Sequence, residues 1–168
     1  MKKLFFAALL AVVFIIGSSA SALAETEAGK TTVVILLDRG DPTTMTEKQF
    51  EMREKVGEWM ENDLANIFKR KKFESVIINK REEFTPGPDK YLISIAIKSY
   101  NPGNKAARAF VGYGAGAASL DIRYELFGEG DSALLSTDDG VGSSRDWRNI
   151  ARKLNENIYD QVREKIQP

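Results

Sequence analysis

Four short stretches of this chain carry residue types that could do chemistry, and each must be weighed against the element that would hold it. Gly29-Lys30-Thr31 has the ending of a phosphate-binding loop. That loop works between a strand and a helix, so that the helix N-terminus meets the phosphate. Here the tripeptide runs into the β-branched stretch TTVVILL, and Ala24 stands where the first glycine should be, so the phosphate loop is rejected. Gly112-x-Gly114-x-x-Ala117 matches the dinucleotide fingerprint formally. It too leads into an alternating strand pattern, Leu120 to Leu126, where the fingerprint requires a helix. Arg39-Gly40-Asp41 is a tripeptide found in adhesion ligands, but Pro42 follows it and a turn is a sufficient explanation. Asp138-Asp139-Gly140 could contribute to a cation site. It lacks the ligand spacing of a calcium loop and reads as turn and capping chemistry before a helix.

Composition removes more. The 168 residues include no Cys and no His. Thiol nucleophiles, Ser-His-Asp and Cys-His arrangements and the usual zinc ligand sets are therefore absent, as are disulfides. The expectation is a non-enzymatic protein with no catalytic, cofactor-binding or metal-binding residues.

The first 24 residues read as an export signal. Lys2 and Lys3 precede the apolar run Leu4 to Ile16, and Ala22-Leu23-Ala24 forms a small-residue cleavage site, so Glu25 is the expected mature N-terminus. The run is shorter than the ~20 residues that span hydrocarbon. No Cys follows it to accept a lipid. The mature chain is expected in the periplasm or secreted, without a transmembrane span or lipid anchor. Cleavage removes two of 24 basic residues and none of 24 acidic ones, leaving 22 − 24 = −2. That balance gives no reason to expect nucleic acid as a partner.

The elements follow from periodicity. Thr31 to Leu37 is apolar enough for a strand covered on both faces. Thr46 and Gln49 form a capping box (Thr44 with Glu47 competes), opening a helix with Met52, Val56, Trp59, Met60, Leu64, Ile67 and Phe68 on its buried face. Lys69 to Lys72 complement that helix's C-terminal dipole. Phe73 to Ile78 completes a parallel strand–helix–strand unit. Tyr91 to Tyr100 and Leu120 to Leu126 alternate as half-buried strands, and Ala133 to Thr137 returns after a hairpin turn. A second helix, capped by Ser143 or Ser144, carries Trp147, Ile150, Ala151, Leu154, Ile158, Val162 and Ile166 on its stripe. Both tryptophans are expected in the core. The order β-α-β-β-β-β-α predicts an α/β (α+β) two-layer sandwich, with two helices on a mixed sheet of about five strands. Residues 25–168 form one domain on this reading.

One stretch is unlike the rest. GNKAARAFVGYGAGAASL, Gly103 to Leu120, is small, apolar and glycine-rich, with no acidic residue before Asp121. It is either a wide connection packed over one end of the sheet or an interaction element. As an interaction element it would use Phe110, Val111 and Tyr113 for apolar contact, and Lys105 and Arg108 at its polar edge. Gly112, Gly114 and Gly116 would then allow close approach. Its partner would be another envelope protein or a second copy of the chain. A domain that takes a small ligand or cell-wall material in a cleft is the alternative.

The stretch GNKAARAFVGYGAGAASLDIRYELF resembles the bacterial family called domain of unknown function 4410. YLISIAIKSYNPG and the final amphipathic helix agree with it, so the resemblance extends over most of the mature chain. It implies an exported envelope protein with no assigned activity. Many members are lipoproteins; this chain lacks their attachment Cys.

Overall fold

The β-branched run after Lys30 forms the strand β1, Thr32–Asp38, which pairs with two neighbouring strands and packs against the first helix. A computed structural model of the protein describes residues 30–103, 116–143 and 146–167. Beyond β1 the elements are α1 (Glu47–Arg70), β2 (Glu74–Ile78), β3 (Lys90–Asn101), β4 (Ala118–Phe127), β5 (Leu135–Ser143) and α2 (Trp147–Ile166). The strands form one mixed sheet in the order β2-β1-β3-β4-β5. β1 is parallel to both β2 and β3, whereas β4 is antiparallel to β3 and to β5. This is the predicted β-α-β-β-β-β-α order and the predicted α+β sandwich.

Both helices cover one face of the sheet. Val33, Ile35, Ile93, Ile95, Leu120 and Ile122 meet the helix residues Val56, Met60, Leu64, Ile150, Leu154 and Ile158 in a single buried cluster. Among the described residues the opposite face is only partly covered. Val34, Ile78 and Leu92 are buried there beneath Leu36, Phe84 and Phe127, and the Arg81 guanidinium lies 4.0 Å from the Phe127 ring centre. The apolar run of β1 therefore does have partners on both faces, but those on the second face are few, and Val76 beside them is exposed.

Helix α1 begins at the Thr46–Gln49 capping box. Thr46 N–H donates to Gln49 Oε1 at 2.9 Å, and Gln49 N–H to Thr46 Oγ1 at 3.4 Å. The competing register is lost because Thr44 lies in a short 3₁₀ turn. At its other end Lys72 takes φ +71°, Phe73 N–H bonds to the Phe68 carbonyl, and the two rings meet edge to face at 5.4 Å. That combination is the left-handed helix stop with its usual apolar clasp. Lys fills a position that glycine fits better.

Three expectations need correction. β5 does not end at Thr137 but runs to Ser143, so Asp138-Asp139-Gly140 is strand and not turn. Edge strands tolerate charge, and Asp138 lies opposite Arg123 in the ladder with their side chains 3.7 Å apart. In consequence Ser143 closes β5 and does not cap α2, whose cap is Asp146, accepting from Arg148 N–H at 3.1 Å. Ser144 lies outside the described residues. The tryptophans, finally, are half-buried. Trp59 and Trp147 meet edge to face at 5.9 Å where the first residue of α2 meets α1, flanking the core and not filling it.

The helices are joined by polar contacts as well. Asn155, fully buried on α2, donates through Nδ2 to the Met60 carbonyl at 3.1 Å and to Asp63 at 3.0 Å.

Candidate interaction site at the carboxyl end of the sheet

The chain leaves the sheet at the end of β3 and re-enters it at the start of β4, and the glycine-rich stretch lies between. The two ends of that passage are close-packed backbone. Gly103 has φ +74° and Gly116 φ +65°. A Cβ on Gly103 would stand 2.6 Å from the Gly116 carbonyl oxygen and 2.9 Å from Ala118 N. Gly103 N–H donates to Asn101 Oδ1 at 2.9 Å, which fixes the exit from β3. Below it, the Ser99 hydroxyl bonds the Asp121 carboxylate across the two strands.

Of the predicted interaction residues, the structure therefore places Gly116, at the neck of the passage. Lys105, Arg108, Phe110, Val111, Gly112, Tyr113 and Gly114 lie outside the described residues. The close approach that glycine allows at Gly116 is made to the chain's own Gly103.

Next to this neck is a cleft of about 540 Å³ that the sequence reading did not find. It lies above the carboxyl ends of β1 and β3, between the β1–α1 connection, the first turns of α1 and the last residues of β3. Its floor is organised by Arg53. The guanidinium donates through Nη1 to the carbonyls of Arg39 and Ile97, both at 3.1 Å, and through Nη2 to that of Lys98 at 3.4 Å. One side chain of α1 thus holds the end of β3 against the loop after β1. β3 changes register between Ile97 and Ser99, and this irregularity is what presents the carbonyls of residues 97 and 98.

Arg39 supports the same loop from the other side. Its Nη2 donates to Glu61 at 2.7 Å and its Nε lies 3.2 Å from Glu54. The side chain crosses α1 at Gly57, where a Cβ would come within 2.7 Å of Nε. Burial raises the Glu61 carboxyl above its ordinary range, against the lowering effect of the Arg39 charge. Asp41 is held down by hydrogen bonds from the Thr43 side chain and backbone. Arg39-Gly40-Asp41 is therefore engaged in folding: Arg39 in ion pairs and Asp41 in capping the 3₁₀ turn.

Tyr100 closes the cleft on the β3 side. Its hydroxyl is buried with no hydrogen-bond partner among the described residues. Burial, and secondarily the Asp146 charge, raises its pKa, so at neutral pH it stays a protonated donor.

The remaining candidates do not line the cleft. Lys30 precedes β1 and pairs with Glu74 at 3.8 Å. Asp139 accepts from Gly140 N–H and Asn157 Nδ2, both at 2.8 Å. Among the described residues no group of three acidic side chains could hold a metal ion, and no helix is long and apolar enough to cross a membrane. The cleft was missed because its lining comes from two distant segments; Arg53 and Lys98 are 45 residues apart. The available signal was the location where two parallel strands end and their connections diverge.

This architecture, a mixed sheet with two helices on one face and a glycine-rich passage at its end, defines a class. The chain belongs to the family described as Domain of unknown function (DUF4410), whose model matches residues 21–144. Among solved structures it is similar to a single-substitution variant of the PelC dodecamer from Paraburkholderia phytofirmans. That match has 11% identity and a TM-score of 0.50, covering 74% of this chain and 81% of that one. It is also similar to the PelC dodecamer from the same organism in another crystal form, at 12% identity and TM-score 0.47, covering 82% and 88%. The first of these likenesses concerns the fold alone. No curated protein matches the chain.

Proposed function

We propose that this is an exported cell-envelope protein, periplasmic or secreted, that catalyses no reaction and binds another envelope protein or a second copy of itself through residues 103–118. The observation that carries this reading is the neck. Gly103 and Gly116 account for their own presence, because their positive φ and close approach close the passage. Lys105, Arg108, Phe110, Gly112, Tyr113 and Gly114 combine charge, aromatic surface and glycine in the stretch of sequence between β3 and β4. Loops on a rigid scaffold commonly carry recognition. The signal pattern at residues 1–24 supports export. The fold likeness to a protein solved as a dodecamer supports the self-association branch.

The test is expression of the full chain, recovery of the envelope fraction, and size exclusion with pull-down. Arg108→Glu is the informative variant, since it reverses a charge without demanding a new backbone conformation. Gly116→Val is not informative, because φ +65° makes it destabilising whatever it binds. The expected result is a mature chain beginning at Glu25 that assembles or co-elutes, and an Arg108→Glu protein that melts like the parent but does neither. A parent that stays monomeric without partners, or a variant that retains all of them, overturns the proposal.

A further inference from the structure

We propose that the cleft above the carboxyl ends of β1 and β3 binds a small organic carboxylate carried on an apolar body. This goes beyond the partner-binding reading and does not depend on it, because none of the residues invoked belongs to segment 103–118.

Position comes first. The connection from β1 passes through α1 to β2 on one side of the sheet, while β3 continues to β4 on the other. Where adjacent parallel strands send their connections in opposite directions a crevice opens at their carboxyl ends, and ligands of open α/β sheets bind there. The volume of about 540 Å³ suits a small molecule.

Charge selects the sign of the ligand. Among the described residues the lining contributes Lys48, Arg53 and Lys98 against Asp41, so 3 − 1 = +2. None of the three cations forms an ion pair with a carboxylate of the described residues. Asp41 accepts hydrogen bonds from both the backbone and the hydroxyl of Thr43.

The donors are already oriented. A guanidinium has five N–H groups, and Arg53 commits three to the carbonyls of Arg39, Ile97 and Lys98. Among the described residues nothing accepts from Nε–H or from the second Nη2–H, and the group is held in position by its three bonds. Fixed guanidinium N–H groups suit a carboxylate, and their pre-organisation lowers the entropic cost of binding. The Tyr100 ring lines the same wall, with its hydroxyl buried behind it.

The apolar body follows from the other wall, formed by Met45, Met52 and Pro102. Met52 continues the apolar stripe of α1 past the point where the sheet covers it, so it is only half-buried. Methionine adapts its shape to an apolar ligand at little cost.

The experiment uses protein purified after expression of the full chain, labelled with ¹³C at the methionine methyls. Octanoate is titrated at millimolar concentration, beside octanol and acetate. The Met45 and Met52 methyls should shift saturably with octanoate, while Met60, fully buried in the core, stays still. Octanol and acetate should shift them several-fold less at equal concentration. Lys48→Glu and Lys98→Glu reverse exposed side-chain charges and keep the backbone carbonyls to which Arg53 donates, and each should weaken octanoate binding on the order of ten-fold at low salt. Arg53→Lys should weaken it further if it melts like the parent; the two lysine variants carry the test whether or not it does. The proposal is overturned by any of three outcomes: no saturable shift with octanoate, an equal response to octanol or acetate, or lysine variants that bind like the parent.

Discussion

Gly103 and Gly116 stand back to back at the neck of the β3–β4 passage, close enough that the carbonyl oxygen of one occupies the space a side chain on the other would need. Both are in the left-handed region, so the constraint is conformational as well as steric. Gly103→Ala should therefore destabilise the protein by about 1–3 kcal/mol. Urea unfolding measures this. A variant as stable as the parent would mean that the two strands do not leave the sheet through this neck.

The opposite sign is expected at Lys72. It holds φ +71° between the end of α1 and the Phe73 clasp, where a side chain is strained and glycine is not. Lys72→Gly should raise stability by about 1 kcal/mol, less the entropy that glycine adds to the unfolded chain. Lys72→Ala keeps the Cβ and should bring no such gain. The two melting curves, compared, isolate the backbone effect from loss of the charge.

Legibility in the sequence tracked how local the determining physics is. The capping box at Thr46 and Gln49, the alternation of β4 and the stripes of both helices are set by neighbours a few residues away, and all were readable. β5 was read short because Asp138-Asp139-Gly140 has turn composition. What makes it a strand is its pairing with Asp121, Ile122 and Arg123, a non-local fact. A helical stripe gives direction but not depth, so it does not show that both tryptophans are only partly buried at the margin of the core. Glu61 and Asn155 are buried polar residues that interrupt apolar stripes, and only their partners Arg39, Met60 and Asp63 make sense of them.

Glu61 gives a pH prediction with a defined sign. Burial raises its carboxyl above the ordinary value of 4.5 in the folded protein, despite Arg39. A folded-state carboxyl that holds its proton more tightly than the unfolded chain contributes stability that is fully present below pH 4.5. That contribution declines as pH rises through the higher folded value. Glu61→Gln does not titrate. The stability of the parent relative to Glu61→Gln should therefore fall as pH rises from about 4 toward neutrality. Urea unfolding at a series of pH values checks this, other groups cancelling in the difference. A relative stability that rises with pH would show that the Arg39 charge, and not burial, dominates this carboxyl.

The Trp59–Trp147 contact tests how the two helices are held together. The rings meet at 5.9 Å with planes 85° apart, so the edge of one faces the electron-rich face of the other. Arg152 lies 5.8 Å from the Trp59 ring and Arg148 4.8 Å from that of Trp147. Because both rings are half-buried, each Trp→Ala change should cost less than the roughly 3–5 kcal/mol of a fully buried tryptophan. The pair should nonetheless be coupled by about 1 kcal/mol beyond the area each buries. A double-mutant cycle, with Trp59→Ala, Trp147→Ala and the double variant unfolded in urea, separates these quantities. Iodide should quench both tryptophans partially in the native state, since each has an exposed edge and a nearby guanidinium that attracts the anion. Additive single costs would mean that the Trp59–Trp147 contact contributes nothing of its own, the helices being joined by the buried cluster, which includes the Phe68–Tyr159 contact, and by the Asn155 hydrogen bonds.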